Sequence, residues 1–391
     1  MSQRRILIIH RYFWPENISQ TPFQLKDIAW LHLGRGDHVT VVTGTSDDFT
    51  AEWSAEFGGK VQFRHFVADN DRGQSAFRRM INAFRLGKLA LVEIVRNRFD
   101  LMYVLSYPPL FATIMIFFNR LFGAADQTIF YVQDMFSYRI SNKAAKTIYE
   151  RLTGWTVRAS TTTITLSEAM HGQLRDFSPR HADKGRVTVI PNTFPPSELP
   201  EYSADTPTAD VIYAGAHGKA QNLTHFVKAL ALVPVAKRPT AVFFGEGSEK
   251  STLMSLAEEL ELTNWLQFHD GISRDEIAKE IRMARFGLVG AVPELMKYAF
   301  PSKMATYLSL GTSVLMMCQT DGPDWQWLLE SGNGLPLDPS DINVAASQLG
   351  EIRNAKIAAK RVIVKNAQKD FGLPSYLNRM SSEIEYLQSL R

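Results

Sequence analysis

Pro191-Asn192-Thr193-Phe194-Pro195-Pro196-Ser197-Glu198-Leu199-Pro200 places four prolines in ten residues, and a polar run follows it to Asp210. Proline fixes φ and removes a backbone donor, so such a stretch interrupts regular structure rather than continuing it. The same pattern runs on both sides of the break. Upstream, short β-rich apolar runs occur at 5–10, 38–44, 61–66, 101–106, 128–133, 161–167 and 186–191. Downstream they occur at 209–215, 240–245, 265–269, 286–292 and 312–318. Most are unbroken Val/Ile/Leu runs, as expected of strands buried on both faces of a parallel sheet. Helical patterns separate them, as at 21–33, 223–232, 248–260 and 274–283. Strand–helix alternation predicts βαβ units in a doubly wound α/β sheet. The break predicts two such Rossmann-like domains, 1–195 and 205–372, with a cleft between them. A last helix, 373–391, has no strand after it and is free to pack back on the first domain.

A chain of 391 residues suits two domains. Its 45% hydrophobic and 21% charged content excludes bulk disorder. Cys318 is the sole cysteine, which excludes an internal disulfide and a cysteine-cluster metal site and points to a reducing compartment. The apolar run after Arg4-Arg5 is too short for a signal-peptide core. The longest apolar stretch, 110–118, falls short of the roughly 20 residues that span a bilayer. The expectation is therefore a soluble or peripheral cytoplasmic protein.

Charge is uneven. Residues 1–200 hold 24 Lys and Arg against 18 Asp and Glu, whereas residues 201–391 hold 19 against 22. The excess lies at 72–98, where Arg72, Arg78, Arg79, Arg85, Lys88, Arg96 and Arg98 face Glu93 alone, interleaved with Phe77, Met80, Ile81, Phe84 and Val95. The segment reads as a basic amphipathic helix. Such a helix either lies on an anionic membrane surface or simply shows a solvated face above a core face. Nucleic acid is not expected, since neither a stacking platform nor a helix-turn-helix pattern accompanies it. Two capping boxes are predicted, at Thr21-Pro22-Phe23-Gln24 and at Ser273-Arg274-Asp275-Glu276, with Gly34 and Gly36 ending the first helix.

In open α/β sheets ligands sit at the carboxyl ends of strands, beside helix N-termini that favour anions. Four downstream loops fit. Gly215-Ala216-His217-Gly218-Lys219-Ala220-Gln221-Asn222 offers glycines for backbone approach and His217 and Lys219 for phosphate, or it is a plain turn. Gly245-Glu246-Gly247-Ser248 is the second and Phe268-His269-Asp270-Gly271-Ile272-Ser273 the third. In the fourth, Pro301-Ser302-Lys303, a lysine stands in a helix first turn, where the dipole disfavours a cation unless an anion is near. Asp69-Asn70-Asp71 is a D-x-D of the kind that arises by chance, the nine histidines show no ligand spacing, and no zincin, P-loop or G-x-S-x-G pattern occurs.

Several of these stretches together resemble retaining glycosyltransferase family 4, of the GT-B architecture. They are Arg11-Tyr12-Phe13-Trp14-Pro15-Glu16, Gly36 through Thr43, Val189-Ile190-Pro191-Asn192, Gly245-Glu246-Gly247-Ser248 with Leu253, and Asn264 through Gly271. Pro301-Ser302-Lys303, Tyr307 and Gly311-Thr312-Ser313-Val314 are similar to the form found in bacterial L-fucosamine transferase-like members of capsule, O-antigen and exopolysaccharide assembly. Ser106 through Phe111 and Tyr213 through Leu223 fit that subgroup. The resemblance implies a UDP- or GDP-sugar donor held by the second domain, through Gly215, His217, Gln221, Gly245, His269, Gly271, Ile272, Ser302 and Thr306. It implies an acceptor on the first domain, a lipid-linked saccharide or lipopolysaccharide, near Arg11, Trp14 and Glu16. It also implies transfer with retention and no metal or other cofactor.

Lys303 and Lys219 would meet the diphosphate. Asp134, at a strand end, would orient or deprotonate the acceptor hydroxyl, with a helix N-cap as its other reading. The family's paired glutamates fall on Tyr298 and Thr306, with Glu294 nearby but offset. The 72–98 helix would hold the first domain at the inner face of the plasma membrane. Two other readings stay open: a soluble epimerase or metabolite transferase of the same fold, and a non-catalytic nucleotide-sugar-binding assembly partner.

Overall fold

Strand β1 (Arg5–His10) is Arg-Ile-Leu-Ile-Ile-His, and every residue after the first is buried. A strand apolar on both faces needs neighbours on both edges and cover above and below. It has them at the centre of a parallel sheet ordered β3-β2-β1-β4-β5-β6-β7. The other strands of the sheet are β2 (His38–Thr45), β3 (Val61–Val67), β4 (Phe99–Leu105), β5 (Ala125–Tyr131), β6 (Thr162–Thr165) and β7 (Val187–Val189), of which β2 and β4 flank β1. Ile8 pairs with Val41 on one side and Tyr103 on the other. Six helices alternate with these strands: α1 (Thr21–Gly34), α2 (Thr50–Phe57), α3 (Ala76–Arg96), α4 (Phe111–Phe122), α5 (Lys143–Ala159) and α6 (Glu168–Phe177). The computed structural model describes residues 3–16, 20–69, 71, 74–178, 187–193, 207–293, 302–318, 328 and 330–390. The proline-rich break at 194–206 lies outside them.

A second unit repeats the plan. Its parallel sheet is ordered β10-β9-β8-β11-β12-β13. The strands are β8 (Ala209–Ala214), β9 (Ala241–Phe244), β10 (Leu266–His269), β11 (Ala284–Val289), β12 (Ser313–Met317) and β13 (Gly334–Leu337). Around them run α7 (Leu223–Leu232), α8 (Lys250–Glu259), α9 (Arg274–Met283), α10 (Ser302–Ser309), α11 (Ile342–Glu351) and α12 (Lys360–Phe371). Phe226, Phe243, Phe286 and Leu315 lie in its core. Both units are thus Rossmann-like α/β layers.

The chain divides after Asn192, and from Tyr376 onward it belongs to the first unit again. Helix α13 (Leu373–Ser389) buries Tyr376, Met380, Glu383, Ile384 and Leu387, one face of a 3.6-residue period. Gln127 Nε2 donates to the Leu387 carbonyl at 2.5 Å, and Arg35 pairs with Glu385 at 3.0 Å.

Two local expectations are corrected. Strand β13 was not expected, because Pro336 interrupts its apolar pattern; as the last strand of the sheet it has a free side on which a missing N–H costs nothing. The Thr21 capping box is absent. Gln20 precedes α1 without a side-chain cap, and Thr21 Oγ1 instead donates to Gln133 Oε1 at 3.3 Å. The Ser273–Glu276 box is present in full.

Candidate functional site

In each sheet the strand order reverses once, between β1 and β4 and between β8 and β11. Loops at the carboxyl ends of those strands diverge there and leave room for a ligand.

In the second unit the loop after β8 begins at Gly215, with φ 145°. A Cβ there would stand 2.4 Å from Lys303 Cε and 2.8 Å from its Nζ, so the lysine stem lies directly on the glycine. At Gly245 a Cβ would stand 2.2 Å from the Gly215 carbonyl oxygen. The two loops are back to back: Gly215 N–H donates to the Phe244 carbonyl at 2.9 Å, and His217 N–H to the Glu246 carbonyl at 2.8 Å. Two buried tyrosines pin the strand end. Tyr213 Oη donates to the Ala216 carbonyl at 2.7 Å, and Tyr307 Oη accepts the Ala214 N–H at 3.0 Å.

Lys303 is the second residue of α10. Its ammonium lies 5.2 Å from the Tyr213 ring centroid, and among the described residues no carboxylate pairs with it. Burial alone lowers its pKa from the usual lysine range. Lys250 makes the contrast. It meets Asp270 at 2.6 Å and Glu246 at 2.8 Å, and those bonds, Asp270 first, raise its pKa. One lysine of the site is satisfied twice over by carboxylates, and the other has only an aromatic face.

The remaining expected donor residues divide. His217, expected to meet phosphate, turns its ring inward among Tyr213, Phe243 and Phe268, at centroid distances of 5.6, 6.1 and 6.3 Å. The ring is buried, and burial, helped by the Lys250 charge, lowers its pKa. Its contribution to the loop is therefore its backbone. Lys219 stands exposed on the 3-10 turn Lys219–Gln221 before α7, and Gln221 Oε1 lies against Gly218. The His269 ring stacks on Phe244 at 4.9 Å, with Gly271 and Ile272 exposed beyond it. Ser302 and Thr306 are exposed one turn apart on α10, Thr306 Oγ1 donating to the Ser302 carbonyl at 3.4 Å. Tyr298 and Glu294 lie outside the described residues.

In the first unit Arg11 follows β1 and is fully buried. Its Nη2 donates to the Asp69 carbonyl at 3.0 Å and lies 3.5 Å from Asp71 Oδ1, while the guanidinium carbon lies 4.5 Å from the Tyr12 ring centroid. Its Nε and Nη1 have no hydrogen-bond partner among the described residues. Asp71 also accepts from Tyr107 Oη and Asn82 Nδ2, both at 2.8 Å. Tyr12 and Tyr107 stack at 6.2 Å, joining the loops after β1 and β4. Glu16 accepts the Ser46 N–H at 2.6 Å on Oε1, while Oε2 is buried and has no partner among the described residues; burial raises its pKa. Trp14 is half-buried under Lys26, whose Nζ lies 4.6 Å from the ring centroid.

Asp134 lies three residues beyond β5, its N–H donating to Ser106 Oγ at 3.3 Å. The N-cap reading does not hold. The 3-10 turn Phe136–Arg139 has Met135 at its cap and no side-chain cap bond, and Asn142 caps α5. Asp134 Oδ1 is buried with no partner among the described residues, and Oδ2 stands 3.6 Å from Arg139 Nη2. Burial, opposed by Arg139, pushes its pKa up to about 6.

A raised carboxyl pKa means that the folded state holds the proton more tightly than the unfolded chain. Stability therefore falls as pH rises from about 4 to about 6, and the cost is complete above that. Asp134→Asn removes the cost. It should raise the melting free energy at pH 8 by roughly 1–3 kcal/mol, with the gain vanishing near pH 4. Thermal melts at the two pH values check it; an equal gain at both would show that the charge is not the cause.

Sequence reading missed Tyr213, Tyr307, Asp71, Tyr107 and Ser106. The signal available was a phenol within an apolar strand or strand end, since a buried Tyr hydroxyl usually finds a partner. Asp71 had been set aside as chance; its value lies in pairing with Arg11 and Tyr107. Among the described residues no three His, Cys, Asp or Glu side chains converge as metal ligands.

Comparison with known proteins agrees with the fold. Residues 26–193 match the family described as "Glycosyl transferase 4-like domain", and residues 197–369 match "Glycosyl transferases group 1". No curated protein sequence matches the chain. Among solved structures it is similar to the lipopolysaccharide outer core galactosyltransferase WaaB (TM-score 0.69, 12% identity, covering 98% of this chain and 99% of that one). Anabaena HepE in complex with UDP and glucose is similar too (0.68, 13%, 98% and 100%). So is sucrose-phosphate synthase from Thermosynechococcus elongatus (0.71, 14%, 100% of each). At these identities the likeness concerns the fold. With the two family matches in succession along the chain, the protein belongs to the GT-B glycosyltransferases, with a family 4-like first domain.

Proposed function

We propose that this chain transfers a sugar, with retention and without a metal, from a UDP- or GDP-sugar to a saccharide or lipid-linked saccharide in bacterial surface polysaccharide assembly, as the L-fucosamine transferase-like members do. The observation that carries the proposal is Lys303, a desolvated ammonium that pairs with no carboxylate among the described residues, on Gly215 and in the first turn of α10. Such a charge is stabilised by an anion, and helix N–H groups favour the same anion. A nucleoside diphosphate supplies one. The printed descriptions of HepE with UDP and glucose and of WaaB as a lipopolysaccharide galactosyltransferase lend support from similar folds.

In this reading the sugar–diphosphate bond breaks as the acceptor hydroxyl bonds to the same face of the sugar. Negative charge grows on the leaving diphosphate, where Lys303 and the backbone N–H groups of α10 are already aimed. Asp134, whose pKa of about 6 leaves it ionised at neutral pH, takes the hydroxyl proton. Trp14, half-buried, meets the acceptor on the first unit, and the buried Arg11 and Glu16 position the loop that carries it. Among the described residues no helix is long and apolar enough to cross a membrane. The basic α3 holds the enzyme peripherally at the cytoplasmic face of the plasma membrane.

A thermal-shift screen of UDP, GDP, ADP and their sugars, with and without magnesium, tests the donor site. A ligand at 100 times its Kd stabilises by about 2.7 kcal/mol. One nucleotide class should shift the melt, equally with and without magnesium. No shift from any of them would overturn the site and favour an assembly partner that lacks donor binding.

A further inference from the structure

Helix α3 does more than present charge. Its inward face, with Leu86, Ala90 and Ile94, is buried as expected of an amphipathic helix. Its outward face is not polar alone: beside its cations, Phe77, Met80, Phe84 and Val95 are each at least 60% exposed. Helix α4 beside it exposes Ile114, Phe117 and Leu121 in the same way. Between the two helices runs a groove of about 680 Å³, the size of a small-molecule site. Phe84, Val92, Val95, Ile114 and Phe118 line it, with Gly87 opening its wall.

Charge tells what covers it. Lys88 and Arg96 also line the groove, both exposed, and Arg79 stands on the same helix. None of the three makes an ion pair among the described residues. Glu93, the sole acid of α3, is buried and taken up by Arg64 at 2.7 Å and Asn97 at 2.8 Å. A hydrocarbon trough beside unpaired cations fits a molecule that is apolar along its length and anionic at one end.

We infer that the α3–α4 groove binds the hydrocarbon chain of a lipid phosphate, with the phosphate against Lys88 and Arg96. The inference deepens the proposed function and rests on its lipid-linked acceptor: the groove would hold the acceptor's chain, whereas surface attraction by α3 needs no groove. Burying a few methylenes of the chain in the trough outweighs a surface ion pair.

Farnesyl phosphate, a short isoprenoid chain with a phosphate head, is the probe, titrated calorimetrically into the full chain. Farnesol and inorganic phosphate are its separated halves. Gly87→Leu fills the groove without touching charge; a Cβ at Gly87 meets only the Phe111 ring, at 3.8 Å, and leucine favours a helix over glycine. Farnesyl phosphate should bind the wild type, bind Gly87→Leu at least tenfold more weakly, and bind Lys88→Ser/Arg96→Ser at least tenfold more weakly. Inorganic phosphate should not compete. Equal binding by Gly87→Leu with an unchanged melt, or competition by phosphate alone, would overturn the groove. No binding by the wild type would also overturn it and leave a partner helix as the occupant. The nucleotide shift, from the same screen of UDP, GDP and ADP, is read on the same samples. Farnesyl phosphate binding without it supports the groove and overturns the transferase; the reverse pattern overturns the groove alone.

Discussion

Lys303→Met should lower kcat by about 10²–10³ while leaving the melting temperature unchanged or raised. Methionine keeps the unbranched stem that packs on Gly215 and removes only the charge. Loss of one preorganised donor to a developing anion costs about 2.7–4 kcal/mol of transition-state stabilisation, which gives that factor. The stability side has the opposite sign. Burial lowers the Lys303 pKa, so the folded state binds its proton less tightly than the unfolded chain. The buried charge is a cost to folding at neutral pH, relieved only as pH rises toward the lysine range. Removing it lifts that cost. The UDP-induced thermal shift should shrink in the variant. A kcat within fivefold of wild type would remove Lys303 from the chemistry and leave Lys219 as the cation.

The fold was legible because it is written in period and punctuation. Strands such as Ile6-Leu7-Ile8-Ile9 need cover on both faces, and four prolines at 191–200 mark where one sheet stops. β13 escaped because an edge strand tolerates a proline that a central one does not. At the site, residue type was legible and direction was not. His217 and Lys219 stand two apart on a loop with phosphate-like chemistry, yet one ring is walled in by aromatics and the other side chain stands in solvent. Which way a loop side chain turns depends on what packs beneath it, here Phe243 and Phe268 from other strands. Lys303 stands out by the opposite logic: a helix first turn is a poor place for a cation, so the sequence alone singles it out as a charge against the local field.

Glu383→Ala should destabilise the first unit by roughly 2–4 kcal/mol, although residue 383 lies near the end of the chain. Its carboxylate is buried under α13. Oε1 accepts from Thr162 Oγ1 at 2.6 Å and Oε2 from Thr188 Oγ1 at 3.0 Å, tying the helix to β6 and β7 at once. Hydrogen bonds to a charged group are each worth about 1.5–3 kcal/mol, partly offset by the cost of burying the carboxylate. Alanine removes both bonds and opens space between helix and sheet. For a unit of this size each kcal/mol moves the melt by about 2–4 °C, so a drop of roughly 5–15 °C is expected. Glu383→Gln separates the bonds from the packing. Its amide fills the same space, its oxygen accepts from one threonine, and its NH2 can donate to the other, because a hydroxyl accepts as well as donates. It should recover more than half of the loss. A fall in both variants alike would assign the effect to the charge, and no fall in either would mean that α13 is held by Tyr376, Met380, Ile384 and Leu387 alone.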